Sequence, residues 1–110
     1  MNNPVLCSKV EKGMKIISQR WTSLIIYQLL NGPQRFCEVE ASLPISGRVL
    51  SERFKELEQE GIVKREVFPE TPVRIVYSLT DKGKALEPIM RGIEEWSHSW
   101  IELPAQQKAE

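Results

Sequence analysis

Apolar positions along this chain recur first at helical spacing and then at strand spacing. Val10, Met14 and Ile17 fall at i, i+4 and i+7, one face of a helix that opens at "SKVE". There Ser8 and Glu11 have the spacing of a capping box. "RWTSLIIYQLLNGP" continues as a second, more buried helix around Trp21, Leu24, Ile25 and Leu29. Gly32 and Pro33 stop it, because glycine accepts the left-handed cap and proline cannot extend a helix. "QRF" leaves room for a lone extended segment, and "FCEVEASLP" reads as a short helix with Phe36, Val39 and Leu43 inward. Ser46 then caps a longer helix over 47–60, closed by Gly61. At about 100° per residue, Leu50, Phe54 and Leu57 share its buried face while Arg48, Ser51, Glu52 and Lys55 lie opposite.

The period then changes. "IVKREVF" and "VRIVYSLT" alternate through Val63, Arg65 and Val67 and through Val73, Ile75, Tyr77 and Leu79, with the turn "PETP" between them. This predicts an antiparallel hairpin. A last helix is expected from the Thr80 cap through about residue 103, kinked at Pro88, which removes a bond to the Lys84 carbonyl. The reading is one mostly helical α+β domain over 1–110. Its parts are N-terminal helices at 8–31, a helix-turn-helix at 36–60, a two-stranded wing at 62–79 and a long C-terminal helix at 80–103. That is the order of a winged helix-turn-helix.

Composition narrows the function. The 15 Lys+Arg balance 15 Asp+Glu, yet residues 1–55 carry 8 basic and 4 acidic side chains and residues 56–110 carry 7 and 11. The first half is therefore +4 and the second −4, the asymmetry of a chain with one anionic partner. No apolar run has the roughly 20 residues of a membrane span, so no membrane partner is expected. "MNNPVLCSKVEK" lacks the pattern of a secretory signal, and a cytoplasmic protein is the default. Two cysteines 30 residues apart and one histidine, His98, do not make a four-ligand zinc site, so no metal or other cofactor is expected. No acid–base pair, phosphate-cradling glycine loop, triad or C-x-x-C suggests an enzyme.

The second helix of a helix-turn-helix enters the major groove with its first residues nearest the base edges. Ser46, Gly47, Arg48, Ser51 and Lys55 are thus candidates for contact with double-stranded DNA. Arg48 has the fork geometry for guanine O6 and N7, while Lys64, Arg65 and Arg74 around the wing suit phosphates. The plainer reading of the same pattern is a solvated helix, since "ELEQE" follows Lys55 directly.

"ISGRVLSERFKELEQEGIVKREVFPETPVRIVYSLTDKGKAL", with "RWTSLII" and "LLNGPQRF" ahead of it, resembles the HxlR family of bacterial winged-helix transcription regulators over about residues 7–96. The resemblance implies a dimeric DNA-binding regulator, more often a repressor than an activator, paired through its first and last helices. Three features depart from the family pattern. Ser18, Gln19 and Arg20 stand where two glycines and a lysine are frequent, "LPIS" is one residue shorter than the usual turn, and Phe54 replaces a common leucine.

Paired through those helices, Met14 would join Leu86, Ile89, Ile93, Trp96 and Trp100 in a homodimer interface. With Met90, the last-helix residues span a face broader than a helix capping a small core needs. The alternative is an interaction module that docks a protein through this helix and binds no specific DNA. His98 is expected at the surface. Cys7 is expected just ahead of the Ser8 cap, where a helix N-terminus and the ammonium groups of Lys9 and Lys12 favour thiolate. "LCSKVEKGM" resembles the start of the subgroup that senses quinones, aldehydes or oxidants through an N-terminal cysteine, which implies a redox-sensing role for Cys7. Cys37 is either a partner for Cys7 of a second chain or a small half-buried side chain. The tail "LPAQQKAE" has no cysteine to act as a resolving thiol.

Overall fold

The computed structural model describes residues 7–104, so residues 105–110 of the tail lie outside it. Helices α1 (Ser8–Ser18) and α2 (Thr22–Leu29) lead to a short strand β1 (Gln34–Arg35). Then come α3 (Phe36–Ser42), α4 (Gly47–Gln59), the hairpin strands β2 (Val63–Phe68) and β3 (Arg74–Leu79), and two helices, α5 (Asp81–Lys84) and α6 (Glu87–Trp100).

Local chemistry sets the bounds of α4. The Ser46 side chain accepts from the Val49 amide at its start, and Gly61 takes a positive φ of 76° after its end. The capping box expected at Ser8 does not form. Helix α1 begins one residue earlier than that pattern requires, so Ser8 is already helical and Cys7 is the N-cap. Trp21, expected inside the second helix, instead precedes α2 at φ 77°. From that corner α2 turns Thr22, Ile25, Ile26 and Leu29 into the core and leaves Leu24, expected inside, 49% exposed.

The wing is not merely two-stranded. The "QRF" segment supplies β1, and the antiparallel sheet has the order β1-β3-β2, with Gln34 and Arg65 flanking Tyr77. Strand β3 is therefore central, which is why Val76, Tyr77, Ser78 and Leu79 are all buried and alternation fails there. Pairing places Val63, Arg65, Val67, Ile75, Tyr77 and Leu79 on one sheet face, and Lys64, Glu66, Phe68, Arg74, Val76 and Ser78 on the other. The first face packs on α4, where Phe54 stacks on Tyr77 with ring centroids 3.9 Å apart and planes 13° from parallel. Such a pair adds about 0.5–1.5 kcal/mol beyond its burial. The core thus accommodates Phe54 by stacking it on Tyr77.

The single kinked helix expected over 80–103 is two helices. Thr80 caps α5 by accepting from Gly83 N, the chain turns at Ala85 and Leu86, and Pro88 sits in the first turn of α6. Proline is at home there because its missing N–H would have no helical partner. Buried Gly83 presses on β2's approach, and a Cβ on it would run into the Ile62 carbonyl oxygen. Lys82 reaches past it to donate to the Glu60 carbonyl at the end of α4. The "TDKG" run is therefore a clamp that fits α5 against the C-terminus of α4.

Candidate nucleic-acid interface and thiol site

At the outer start of α4, the structure brings together the free helical amides after Ser46 and the side chains of Arg48, Ser51 and Lys55. The Arg48 side chain is 82% exposed and its Nη1 lies 3.4 Å from Glu52 Oε2. A pair this exposed is weak and screened by solvent, so the guanidinium is available to another anion. Lys55 is exposed and Ser51 half-buried. Gly47 faces Glu40 of α3, whose carboxylate oxygen lies 2.8 Å from where a Cβ would stand. That oxygen ends a flexible side chain and can yield.

The acidic run that follows is largely paired. Glu52 meets Arg48, Glu56 meets Arg53 at 3.2 Å, and Glu60 meets Lys12 at 3.6 Å. The helix start therefore keeps its positive dipole end and its cations, while Glu56 and Glu60 downstream face partners of their own. This is how a chain of zero net charge keeps a local polarity along one helix.

The three wing cations do not act as one group. Arg65 shares the α4 face of the sheet, whereas Lys64 and Arg74 are on the opposite face. Arg74 is the most engaged: its guanidinium donates to Glu70 at 3.0 Å and lies 4.1 Å from the Phe68 ring centroid. The hydrogen bond to Glu70 holds the Arg74 pKa above its ordinary value and the Glu70 pKa below. Lys64 borders a cleft of about 410 Å³ with Leu30, Pro33, Lys84 and Glu87.

Cys7 is exposed at the α1 N-cap. Its thiol pKa is lowered, first by the backbone amide of Val10 and then by that of Lys9, although no formed side-chain cap bond is present. The ammonium groups expected to act on it are not the cause, and Lys12 is turned toward Glu60. Cys37, expected half-buried, is exposed on α3. His98 is exposed on α6.

The apolar face of the last helix divides. Met90 is buried and Leu86 packs against the core, while Ile89, Ile93, Trp96 and Trp100 form an outward stripe at i, i+4, i+7 and i+11. Trp96 is 57% exposed and Trp100 73%. Met14 and Val10 of α1 are exposed as well, as is Leu24 of α2. Leu24 and Ile101 are further exposed apolar residues that the sequence reading did not place at the surface. The signal for Leu24 was its place about 100° from Ile25 and about 140° from Leu29 around α2. No helix among the described residues is long and apolar enough to cross a membrane, and no group of three or more metal-ligating side chains occurs among them.

Residues 16–105 match the HxlR-like helix-turn-helix family, and the chain belongs to it. It is 63% identical over 103 residues to the HTH-type transcriptional regulator YvaP of Bacillus subtilis, covering 93% of this chain and 95% of that one. The reduced form of the transcriptional regulator YodB from B. subtilis superposes with a TM-score of 0.78 at 44% identity, over 88% of this chain and 96% of that chain. YodB has also been solved with quinone bound, at TM-score 0.74 and 38% identity over 86% and 100% of the two chains. The redox regulator HypR in its oxidized form reaches 0.81 at 35% identity, over 86% and 99%. The protein is an HTH-type transcriptional regulator with a winged helix-turn-helix fold, and its relatives are regulators rather than enzymes.

Proposed function

We propose that the protein is a homodimeric, sequence-specific DNA-binding repressor whose operator affinity is set by the state of Cys7. Helix α4 is the reading helix. Arg48 contacts a base edge, Ser51 and Lys55 contact base or backbone, and the free amides after Ser46 and Gly47 meet phosphate. Arg65 neutralises phosphate beside α4, and Lys64 and Arg74 do so from the other side of the wing. Two copies pair through the outward stripe of α6 together with Met14 of α1, and Leu86 supports that helix from the core side. Half-site reading by a module this small needs two copies on one duplex.

The observation that carries the regulatory part is the exposed Cys7 thiol at the first free amides of α1, with its pKa lowered. The effector is an electrophile, and a quinone is the best fit, in keeping with the quinone-bound state of YodB. Aldehydes and oxidants are further candidates for the same thiol. The thiolate sulfur bonds to a ring carbon and the electron pair moves to a carbonyl oxygen, which takes a proton from water. The ring proton at the new C–S carbon then leaves to water, its electron pair passes through the ring to the second carbonyl oxygen, and that oxygen takes a proton in turn. The product is a dihydroxyaryl thioether, with no oxidant consumed besides the quinone. A bulky aryl group at the start of α1 changes how α1 packs and with it the spacing of the two reading helices.

The test uses a duplex selected from random sequence by the unmodified protein. Stoichiometric p-benzoquinone should release wild-type protein and leave Cys7→Ser bound. If both variants release alike, Cys7 is not the switch. Cys37 enters only if a Cys7–Cys37 crosslink between subunits appears on mild oxidation in non-reducing gels.

A further inference from the structure

Arg53 lies on α4 but faces away from the surface assigned to DNA. Its side chain is only 18% exposed, low for a guanidinium on a helix rich in solvated charge. Nε donates to the backbone carbonyl of Arg20 at 3.1 Å, and Nη1 donates to both oxygens of Glu56 at 3.2 and 3.3 Å. The planar fork is thus held on both sides, one of them a residue 33 positions away.

That carbonyl belongs to the corner between α1 and α2, which is itself tightly fixed. Thr22 N donates to the Gln19 carbonyl at 3.1 Å, and the Ser23 hydroxyl donates to the Ile17 carbonyl. Trp21 is held there at φ 77°, a left-handed conformation that bulky residues rarely adopt. A backbone outlier retained at such a joint points to a geometry that matters.

Elsewhere α1 meets the body of the fold only lightly, with Ile16 half-buried against the core. An open cleft of about 820 Å³ lies between α1 and α4, with Lys15, Ile16 and Gln19 on one wall and Glu56, Leu57 and Gln59 on the other. No residue of α1 is buried. The further polar tie across the cleft is Lys12–Glu60 at 3.6 Å, and the Lys12 side chain is 68% exposed, so solvent weakens it. The cleft side of α1 is opposite Val10, Met14 and Ile17 at about 100° per residue, so pairing through those apolar residues leaves the cleft open.

We infer that Arg53 is a positioning residue: by gripping the Arg20 carbonyl it sets the angle between the thiol-bearing helix α1 and the reading helix α4. A shift of α1 moves the corner carbonyl, the guanidinium follows, and α4 turns on its bed of Leu50, Phe54 and Leu57. This rests on the proposed reading, in which α4 meets DNA and Cys7 receives the electrophile.

The experiment compares wild type, Arg53→Met and Arg53→Lys. Each is titrated by fluorescence anisotropy with the selected duplex and with an unrelated duplex, before and after one equivalent of p-benzoquinone. Arg53→Met keeps the packed stem but not the donors. It should bind the unrelated duplex within about twofold of wild type, because phosphate contacts are untouched. Its affinity for the selected duplex should fall about tenfold, and its quinone response should shrink at least about fivefold. A loss of folded fraction alone would lower both affinities equally, so the ratio separates positioning from stability. Arg53→Lys can still reach the carbonyl with one donor and should recover part of the ratio. If Arg53→Met does not fold, a partial loss of the ratio in Arg53→Lys supports the assignment. Wild-type ratio and wild-type quinone response in the folded variants overturn it. A wild type that neither discriminates duplexes nor responds to quinone overturns the functional reading beneath it.

Discussion

The Tyr27 hydroxyl donates to Glu94 Oε2 at 2.6 Å and so joins α2 to α6, two helices 67 positions apart in sequence at this contact. The bond raises the Tyr27 pKa and is the largest cause of the lowered Glu94 pKa, with a bond from Arg91 adding to the latter. Stability from a carboxyl depressed in the folded state is complete above its unfolded pKa and is lost as pH falls through the folded one. Tyr27→Phe should therefore raise the Glu94 midpoint, read by carboxyl carbon NMR, and flatten the stability–pH curve below about pH 5. An unchanged Glu94 midpoint would contradict the bond.

Gly83 tests the clamp between α5 and α4. A methyl group there meets a backbone carbonyl, the oxygen of Ile62, and Leu79 Cδ2 lies 3.0 Å from the same point. Neither the backbone just ahead of β2 nor a buried leucine moves cheaply. Gly83→Ala should cost about 1–3 kcal/mol in urea unfolding. Within one subunit Gly92 has open space around it, so Gly92→Ala, inside α6, should be neutral or mildly stabilising for the fold of the subunit itself.

Helix α4 and the glycine that follows it were legible in the sequence because Ser46 and Gly61 act through backbone groups a few residues away. The break before α6 was not. Leu86, Ile89, Met90 and Ile93 keep helical spacing straight through the junction, and a proline that reads as a kink is instead a comfortable helix start. Strand β1 was similarly faint, since two residues carry no period and Tyr77, opposite Gln34, is far along the chain. The outward apolar residues of α6 were visible as periodicity, but not their division from Met90, which depends on where α2 packs. Arg53 was not singled out in "SERFKELEQE", because its long-range partner is a backbone carbonyl that has no residue signature.

The α6 stripe carries the prediction about assembly. Trp96→Glu places a charge in the centre of the exposed Ile93–Trp100 stripe without touching Met90 or the core. Sedimentation equilibrium should then show a monomer at concentrations where the wild type is a dimer, with the circular dichroism spectrum retained. A wild type that is monomeric throughout would remove the stripe from the interface.

The Cys7 thiol should titrate early. In a Cys37→Ser background, the pH dependence of alkylation by iodoacetamide should have a midpoint below that of the same chain unfolded in urea, where an ordinary thiol lies near about 8.5. The reason is the pair of amides at the α1 N-cap, Val10 first, which denaturation removes. Equal midpoints in the two states would mean the helix start does not activate the sulfur.

The central claim is that α4 of each subunit lies in a groove of one duplex. Hydroxyl-radical footprinting on the selected duplex tests it most directly. The account predicts two protected patches on one side of the DNA, with centres about 10–10.5 base pairs or a whole multiple apart. With Arg48→Ala the patches should persist while preference at one base in each half-site is lost, about 1–3 kcal/mol per site. A single patch, no patch, or base preference untouched by Arg48→Ala would contradict it.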